Sequence, residues 1–254
     1  MAFFRNNFVL AKRALKNKGG FNWFTNDLKE LKAQLGNDNE FPISKWRPIL
    51  TEKFAQSGTA SGHYFHQDLY IAQKVFKAKP QRHIDIGSRI DGFVAHVASF
   101  REIEVLDIRP LDSAIANVTF VMADLMNPQQ DLLSSTDSIS CLHAIEHFGL
   151  GRYNDPIDAY GHLKALKNIA NILKPGGSFY FSTPIGTQRI EFNAHRVFSI
   201  NYLLEHLSPL FFVEDFAYVD DKGDLHTTVN LDSEEAKNNF GCRYGCGIFT
   251  LKKK

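Results

Sequence analysis

Two segments of the chain gather the side chains that move protons. HAIEHFGLGRYNDP (143–156) offers His143, Glu146, His147, Tyr153 and Asp155, and FNAHRVFS (192–199) offers Asn193, His195 and Arg196. An imidazole near a carboxylate suits acid–base work close to neutral pH. Glu146 and His147 are adjacent, so on a helix they would diverge by about 100°, and only an irregular turn would aim both at one ligand. His195 beside Arg196 suits a base next to an anion-binding guanidinium. The same dipeptide also suits a loop-stabilising pair, and the sequence leaves both readings open.

A third segment, HIDIGSRIDGF (83–93), reads as an apolar strand turning at Gly87 towards a helix that starts near Gly92. A dinucleotide turn needs Gly-x-Gly-x-x-Gly. Here Arg89 stands where that turn would bring bare backbone against a pyrophosphate. Downstream, Asp107 ends a second strand about 20 residues on, the position from which an acidic side chain takes ribose hydroxyls. Asp124 ends a third strand and His143 a fourth. One acidic strand end is commonly a cap or turn residue. Carboxylates at Asp85, Asp107 and Asp124, in register at consecutive strand ends, point to a ligand.

The elements that would position these residues follow from periodicity. Leu28, Leu31 and Leu35 predict a helix over 24–36 closed by Gly36, and 37–62 is turn-rich and reads as a linker. Phe65, Leu69, Ala72 and Phe76 predict a helix from His63 to about Pro80. Strands are expected at 83–86, 103–108, 118–123, 137–144 and 178–183, with helices at 92–100 and 159–173. A helix at 199–207 and strands at 211–219 and 246–253 complete the chain. Short apolar strands alternating with helices imply a doubly wound, mostly parallel α/β sheet. The two late strands, joined without a convincing helix, predict an antiparallel pair at one edge. The organisation expected is an N-terminal helical extension and linker, 1–62, followed by one domain, 63–254. Ligands of such sheets sit beyond the carboxyl ends of the strands, beside the switch in strand order.

Composition narrows the classes. With 254 residues and a net charge of +1, the chain has the length for a large core and lacks the basic field of a nucleic-acid binder. Three cysteines without CxxC spacing argue for a reducing, cytoplasmic setting and against a disulfide framework or zinc site. Nothing approaches the roughly 20 apolar residues of a membrane span. Arg5, Lys12, Arg13, Lys16 and Lys18 precede the first acidic residue, Asp27. With Phe4, Phe8 and Leu15 on one face, a basic helix there would allow peripheral contact with an anionic membrane. Docking of that face on the protein body is the commoner use of such a pattern.

The strings HIDIGSRIDG, EVLDIRP, VMADL, SISCLHAIEH and LKPGGSFYFSTP, in that order, resemble class I S-adenosylmethionine-dependent methyltransferases over 63–254. GLGRYNDPID, FNAHRVFS and YGCGIF further resemble a domain-of-unknown-function group associated with glycan or surface-polysaccharide assembly. The resemblance implies a Rossmann-like, seven-stranded sheet and S-adenosyl-L-methionine as cofactor. It places Asp85, Gly87, Ser88, Gly92, Ile108, Leu125 and His143 at the cofactor, Asp107 at the ribose hydroxyls and Asp124 near the adenine amine. The first helix turn's amides would face the cofactor carboxylate, and Arg89 would either join them or form a surface ion pair. Methyl transfer to an oxygen of a glycan, glycan precursor or small molecule follows, with His147 or His195 as base and Glu146 and Arg196 beside them. Glu-His pairs also hold a divalent metal in the ubiquinone-pathway O-methyltransferases that this stretch resembles. No third ligand stands at useful spacing, so no metal is expected. Two other readings share these residues: a non-catalytic subunit that keeps the fold to bind a ligand or partner, and an NAD(P)-dependent oxidoreductase.

Overall fold

The computed structural model describes residues 18–36 and 40–254, so the aromatic and basic face expected at 4–15 lies outside the described residues. The chain divides into two compact units between Thr59 and Ala60. In the first, helix α1 (Lys18–Leu35) carries Asp27, which pairs with Lys53 at 2.6 Å, and Trp23, whose ring lies 4.5 Å from the same ammonium. Residues 42–50 have no regular structure, as their two prolines and polar residues imply.

The second unit opens with α2 (His63–Ala78), which buries Ile71, Ala72 and Val75 and stops at Lys79 in the left-handed conformation. Next come β1 (His83–Ile86), an irregular π turn (Ile90–Val94) running into the single-turn α3 (Ala95–Ala98), β2 (Ile103–Asp107) and β3 (Val118–Met122). Then follow β4 (Thr136–Leu142), a 3-10 turn (Ile145–His147), α4 (Gly161–Ile172), β5 (Leu173–Ile185), the hairpin β6 (Arg189–Glu191) and β7 (His195–Val197), and α5 (Ile200–Leu207). The chain ends with β8 (Phe211–Val219), β9 (Leu225–His226), the single-turn α6 (Glu234–Lys237) and β10 (Gly245–Lys253).

One sheet holds eight strands in the order β3-β2-β1-β4-β5-β10-β8-β9. Strands β1 to β5 run parallel, while β10 is antiparallel to both β5 and β8. The antiparallel C-terminal strands are therefore present, with β10 inserted between β5 and β8 and not at the edge. The eighth strand is β9, two residues long, too short to leave a periodic signal. The strand order reverses at β1 and β4, which opens a crevice beyond their carboxyl ends.

Alternation along the strands fills both faces. Phe179 and Phe181 pack with Ile84, Ile86, Leu166 and Ile169 under α4, whereas Tyr180 joins Val75, Phe93, Val97 and Val105 under α2 and α3. Both clusters are fully buried at their centres, which removes about 25 cal/mol of apolar exposure cost per Å². The helix expected over 92–100 is reduced to the π turn and one helical turn. Gly92 sits at φ −123°, ψ −109°, outside helical geometry, and a Cβ there would stand 2.4 Å from Asp68 Oδ2. KPGG (174–177) bulges out of β5 between the pairs Thr136–Leu173 and Ser138–Ser178.

His162 on α4 is buried, with Nε2 2.7 Å from the Tyr202 hydroxyl and Nδ1 without a partner. Burial, aided by Arg196 and His206, lowers its pKa to about 4. A depressed histidine keeps its full contribution above the unfolded value of 6.5 and loses it as pH falls towards 4. Unfolding free energy should therefore fall over that window, and in His162→Gln it should fall less steeply, by about 3 kcal/mol in total. Urea melts at stepped pH measure this; parallel profiles for the two proteins would refute the assignment.

Candidate active site

The carboxyl ends of β1, β2, β3 and β4 enclose a cavity of about 410 Å³. Ile86 and Gly87 come from β1, Leu106 to Arg109 from β2, Ala123 to Met126 from β3, and His143, Ala144, Glu146 and His147 from β4 and its turn. Tyr64, Tyr153, His195 and Tyr244 close the remaining sides. The volume and the mix of apolar wall with few polar groups suit a nucleoside-sized ligand.

The turn after β1 is held from within. Asp85, fully buried, accepts from the Ser88 amide at 3.0 Å, the Ser88 hydroxyl at 2.6 Å and the Ser140 hydroxyl at 2.5 Å. Burial pushes its pKa up to about 7 against those hydrogen bonds. The Gly87 amide donates to Leu106, and those of Gly92 and Val94 to Arg89. Asp85, Ser88 and Gly92 thus do not line the cavity as expected: they shape the turn beneath it. Gly87 does line it, at φ 67°, where a side chain would be strained and its Cβ would stand 3.0 Å from that of Ala144. Arg89 forms the exposed ion pair with Asp91, 2.8 Å, and lies 4.8 Å from the Tyr64 ring. Tyr64 itself lines the cavity.

Asp107 and Ile108 line it at the end of β2. Both Asp107 oxygens are already met by Arg109, Nε at 2.9 Å and Nη2 at 2.5 Å, and that guanidinium stacks 4.4 Å from the Tyr153 ring. Asp124 and Leu125 line it from β3. The Asp124 carboxylate accepts from the Met126 amide at 2.9 Å and the Asn127 side chain at 2.8 Å, which also serves as a turn cap. Arg109 was missed by sequence reasoning; its only signal was its place two residues beyond an acidic strand end.

The strand β4 ends in a polar cluster. His143 sits at φ 50°, a left-handed conformation that costs a non-glycine residue about 1–2 kcal/mol. That turn brings Glu146 back under it, with His143 Nδ1 2.7 Å from Glu146 Oε1. Both are buried; burial works against each charge, yet Cys246 and Glu146 hold His143 well above its ordinary pKa, and His143 holds Glu146 below its own. Two atoms of this cluster, His143 Nε2 and Glu146 Oε2, have no hydrogen-bond partner. The irregular turn does what adjacency on a helix could not, so Glu146 and His147 both line the cavity.

His147 Nδ1 lies 2.7 Å from the Ala194 carbonyl, which also accepts from Arg152 at 2.8 Å. A carbonyl only accepts, so this shorter contact puts the proton on Nδ1, outweighing the Arg152 Nη1 that stands 3.3 Å from the same nitrogen, and Nε2 keeps its lone pair. Burial, with help from Arg152 and His143, lowers the His147 pKa and keeps the ring neutral near pH 7. His195 also lines the cavity, tilted on Tyr244 at 5.0 Å; its Nε2 is 3.4 Å from Glu191 without hydrogen-bond alignment. Arg196 does not line it. Its buried guanidinium donates to the carbonyls of Glu146, Phe148, Asp158 and Ala159, so it clamps the 146–159 loop and has no face for an anion.

Among solved structures the fold is similar to the N-methyltransferase NodS from Bradyrhizobium japonicum WM9 in complex with S-adenosyl-l-homocysteine, at 12% identity and TM-score 0.50, covering 89% of this chain and 97% of that one. It is also similar to the Burkholderia thailandensis 1,6-didemethyltoxoflavin-N1-methyltransferase with bound 1,6-didemethyltoxoflavin and S-adenosylhomocysteine, at 16% identity and TM-score 0.50, covering 74% and 78%. At these identities the likeness is one of fold. No curated protein matches the sequence. The profile described as "Caenorhabditis protein of unknown function, DUF268" matches residues 99–250.

The Glu146–His143 pair should behave as one unit. Glu146→Gln or His143→Asn alone should each cost about 2–4 kcal/mol, since each leaves a buried partner uncompensated. The double variant should cost at least 1 kcal/mol less than their sum. Strict additivity in denaturant melts would show that the pair is not coupled.

Proposed function

We propose that the chain, which belongs to the DUF268 family, transfers a methyl group from S-adenosylmethionine to an oxygen of a glycan, glycan precursor or related small molecule. The observation that carries this reading is the neutral His147, Nε2 unprotonated, lining the same cavity as the strand-end carboxylate of Asp107. The cofactor would supply an activated methyl cation equivalent; the chain has to align the acceptor and remove its proton. Asp107 would take the ribose hydroxyls, and Leu106, Ile108, Ala123 and Leu125 would flank the base. Asp124 would stand at the adenine edge. Gly87 would allow close approach at the β1 turn. His147 would accept the acceptor's proton, with Glu146 Oε1 3.8 Å from its Nε2 to favour the charged ring that forms.

The fit favours a ligand without pyrophosphate. The amides of Gly87, Ser88, Gly92 and Val94 donate to Leu106, Asp85 and Arg89, so a dinucleotide's phosphates would find four fewer donors at this turn. This counts against the NAD(P) oxidoreductase. It also takes these four amides from the methionine carboxylate, for which Arg89 lines the cavity as a cation. Tyr153, Tyr244 and Arg152 furnish the polar rim that a polyhydroxyl acceptor needs. Three buried free cysteines suit a reducing compartment, and we assign the chain to the cytoplasm; no described helix is long and apolar enough to cross a membrane.

A non-catalytic binding subunit is favoured by one observation, the closure of both Asp107 oxygens by Arg109. Thermal stabilisation separates the two. At 100 times its dissociation constant, S-adenosylmethionine or S-adenosylhomocysteine should stabilise by about 2.7 kcal/mol, or about 5–10 °C in Tm, and Asp107→Ala should abolish the shift. His147→Ala should keep the shift while transfer of labelled methyl groups to a glycan fraction falls by about 10²–10⁴. No shift with either ligand at millimolar concentration would refute the proposal.

A further inference from the structure

The inner wall of the cavity ends in a group of side chains that methyl transfer does not use. His63 opens α2, His143 directly follows β4 and Cys246 lies on β10, and one donor atom from each falls within 4.8 Å of the others. We propose that His63, His143 and Cys246 are the protein ligands of a zinc-type metal site beside the candidate active site, with a fourth position left for water or an acceptor atom.

Four observations carry this. His143 Nε2 is buried with no oxygen or nitrogen partner and faces the Cys246 sulfur, a weak hydrogen-bonding partner that a shared metal would replace. Its other nitrogen is bonded to Glu146, the carboxylate–histidine arrangement that fixes a ligand's tautomer and aims its lone pair. His63 has the backbone of Tyr244 as hydrogen-bond partner in the same way. The backbone at His143 is held left-handed, a strained conformation whose effect is to present this ring.

The donor set also selects the metal. One thiolate and two imidazoles suit Zn(II), as against the oxygen-rich sites of Mg(II) or Ca(II). Tetrahedral zinc spaces such donors about 3.3–3.6 Å apart, from bonds of about 2.0–2.3 Å, so the group must contract by about 1 Å. Cys246 is fully buried on a strand paired on both sides, and His143 is pinned by Glu146. His63, at the first position of α2 and only partly buried, is the ligand free to close. The ring of His63 stacks on those of His143 and Tyr244, and the latter two line the cavity, so the fourth position looks towards it.

Cobalt(II) reports the site without any need for activity. The full-length chain, stripped with chelator under reducing conditions, should take up about one Co(II). It should develop a near-ultraviolet thiolate-to-cobalt charge-transfer band with intense tetrahedral visible bands, all bleached by Zn(II). Cys246→Ser should lose the charge-transfer band. His63→Gln, at a position that is not fully buried, should weaken binding at least tenfold while keeping it. Absence of the band in the unmodified chain, or unchanged binding in His63→Gln, would overturn the proposal even if Cys246→Ser failed to fold. No S-adenosylmethionine enters the experiment, so its failure would leave the methyl-transfer reading standing.

Discussion

A carboxylate that is only 1% exposed organises the site. Glu146 lies at the switch between β1 and β4, inside the sheet's carboxyl edge, where an isolated charge would be prohibitively costly. Its compensation is His143, and the pairing requires the chain to leave β4 in a left-handed turn. That turn in turn dictates the 3-10 geometry of Ile145–His147, which sets His147 at the cavity wall. Arg196 then secures the loop by taking the carbonyls that the irregular turn leaves over. The loop that follows is held from its own side by Asp155, which accepts from the amides of Gly149, Gly151 and Tyr153.

The charges around the cavity are sorted by depth. Glu146 sits in the wall with His143, while Arg89, Arg109 and Arg152 stand at more open positions, all three over aromatic rings. A guanidinium stacked on tyrosine keeps its charge with little desolvation. The Asp107–Arg109 pair lies between these layers: the carboxylate is 10% exposed and the arginine 45%. A carboxylate has about four lone-pair sites. Ribose hydroxyls can therefore join Asp107 beside Arg109 or replace it, and the more exposed arginine is the partner that can leave.

Much of the fold was legible because parallel strands announce themselves. β8 was read at its observed ends, β1 likewise, and α4 and β10 within two residues. The exceptions have local causes. Gly92 is non-helical, and Asp68 of α2 fills the space where a side chain would go, a tertiary contact with no sequence period. The β6–β7 hairpin and β9 are strands of two or three residues, below the length at which alternation shows. At the site, Asp107, Asp124, His143, Glu146 and His147 were visible as strand ends and the turn after them. The roles of Arg196 and Arg109 were not, because a dipeptide does not say whether a guanidinium faces a ligand, a carboxylate or backbone carbonyls. The His63, His143 and Cys246 group escaped for a plainer reason: its members meet only when α2, β4 and β10 pack together, so no local spacing could reveal a third ligand.

The account turns on whether the crevice beside Asp107 receives a nucleoside with its sulfur end towards His147. A crystal structure of the full chain grown with S-adenosylhomocysteine tests this most directly. The account predicts ribose hydroxyls within about 3 Å of the Asp107 carboxylate, the adenine against Leu125, and His147 Nε2 facing the space beyond the sulfur. Saturating ligand bound elsewhere, or an Asp107–Arg109 pair untouched by the ribose, would contradict it.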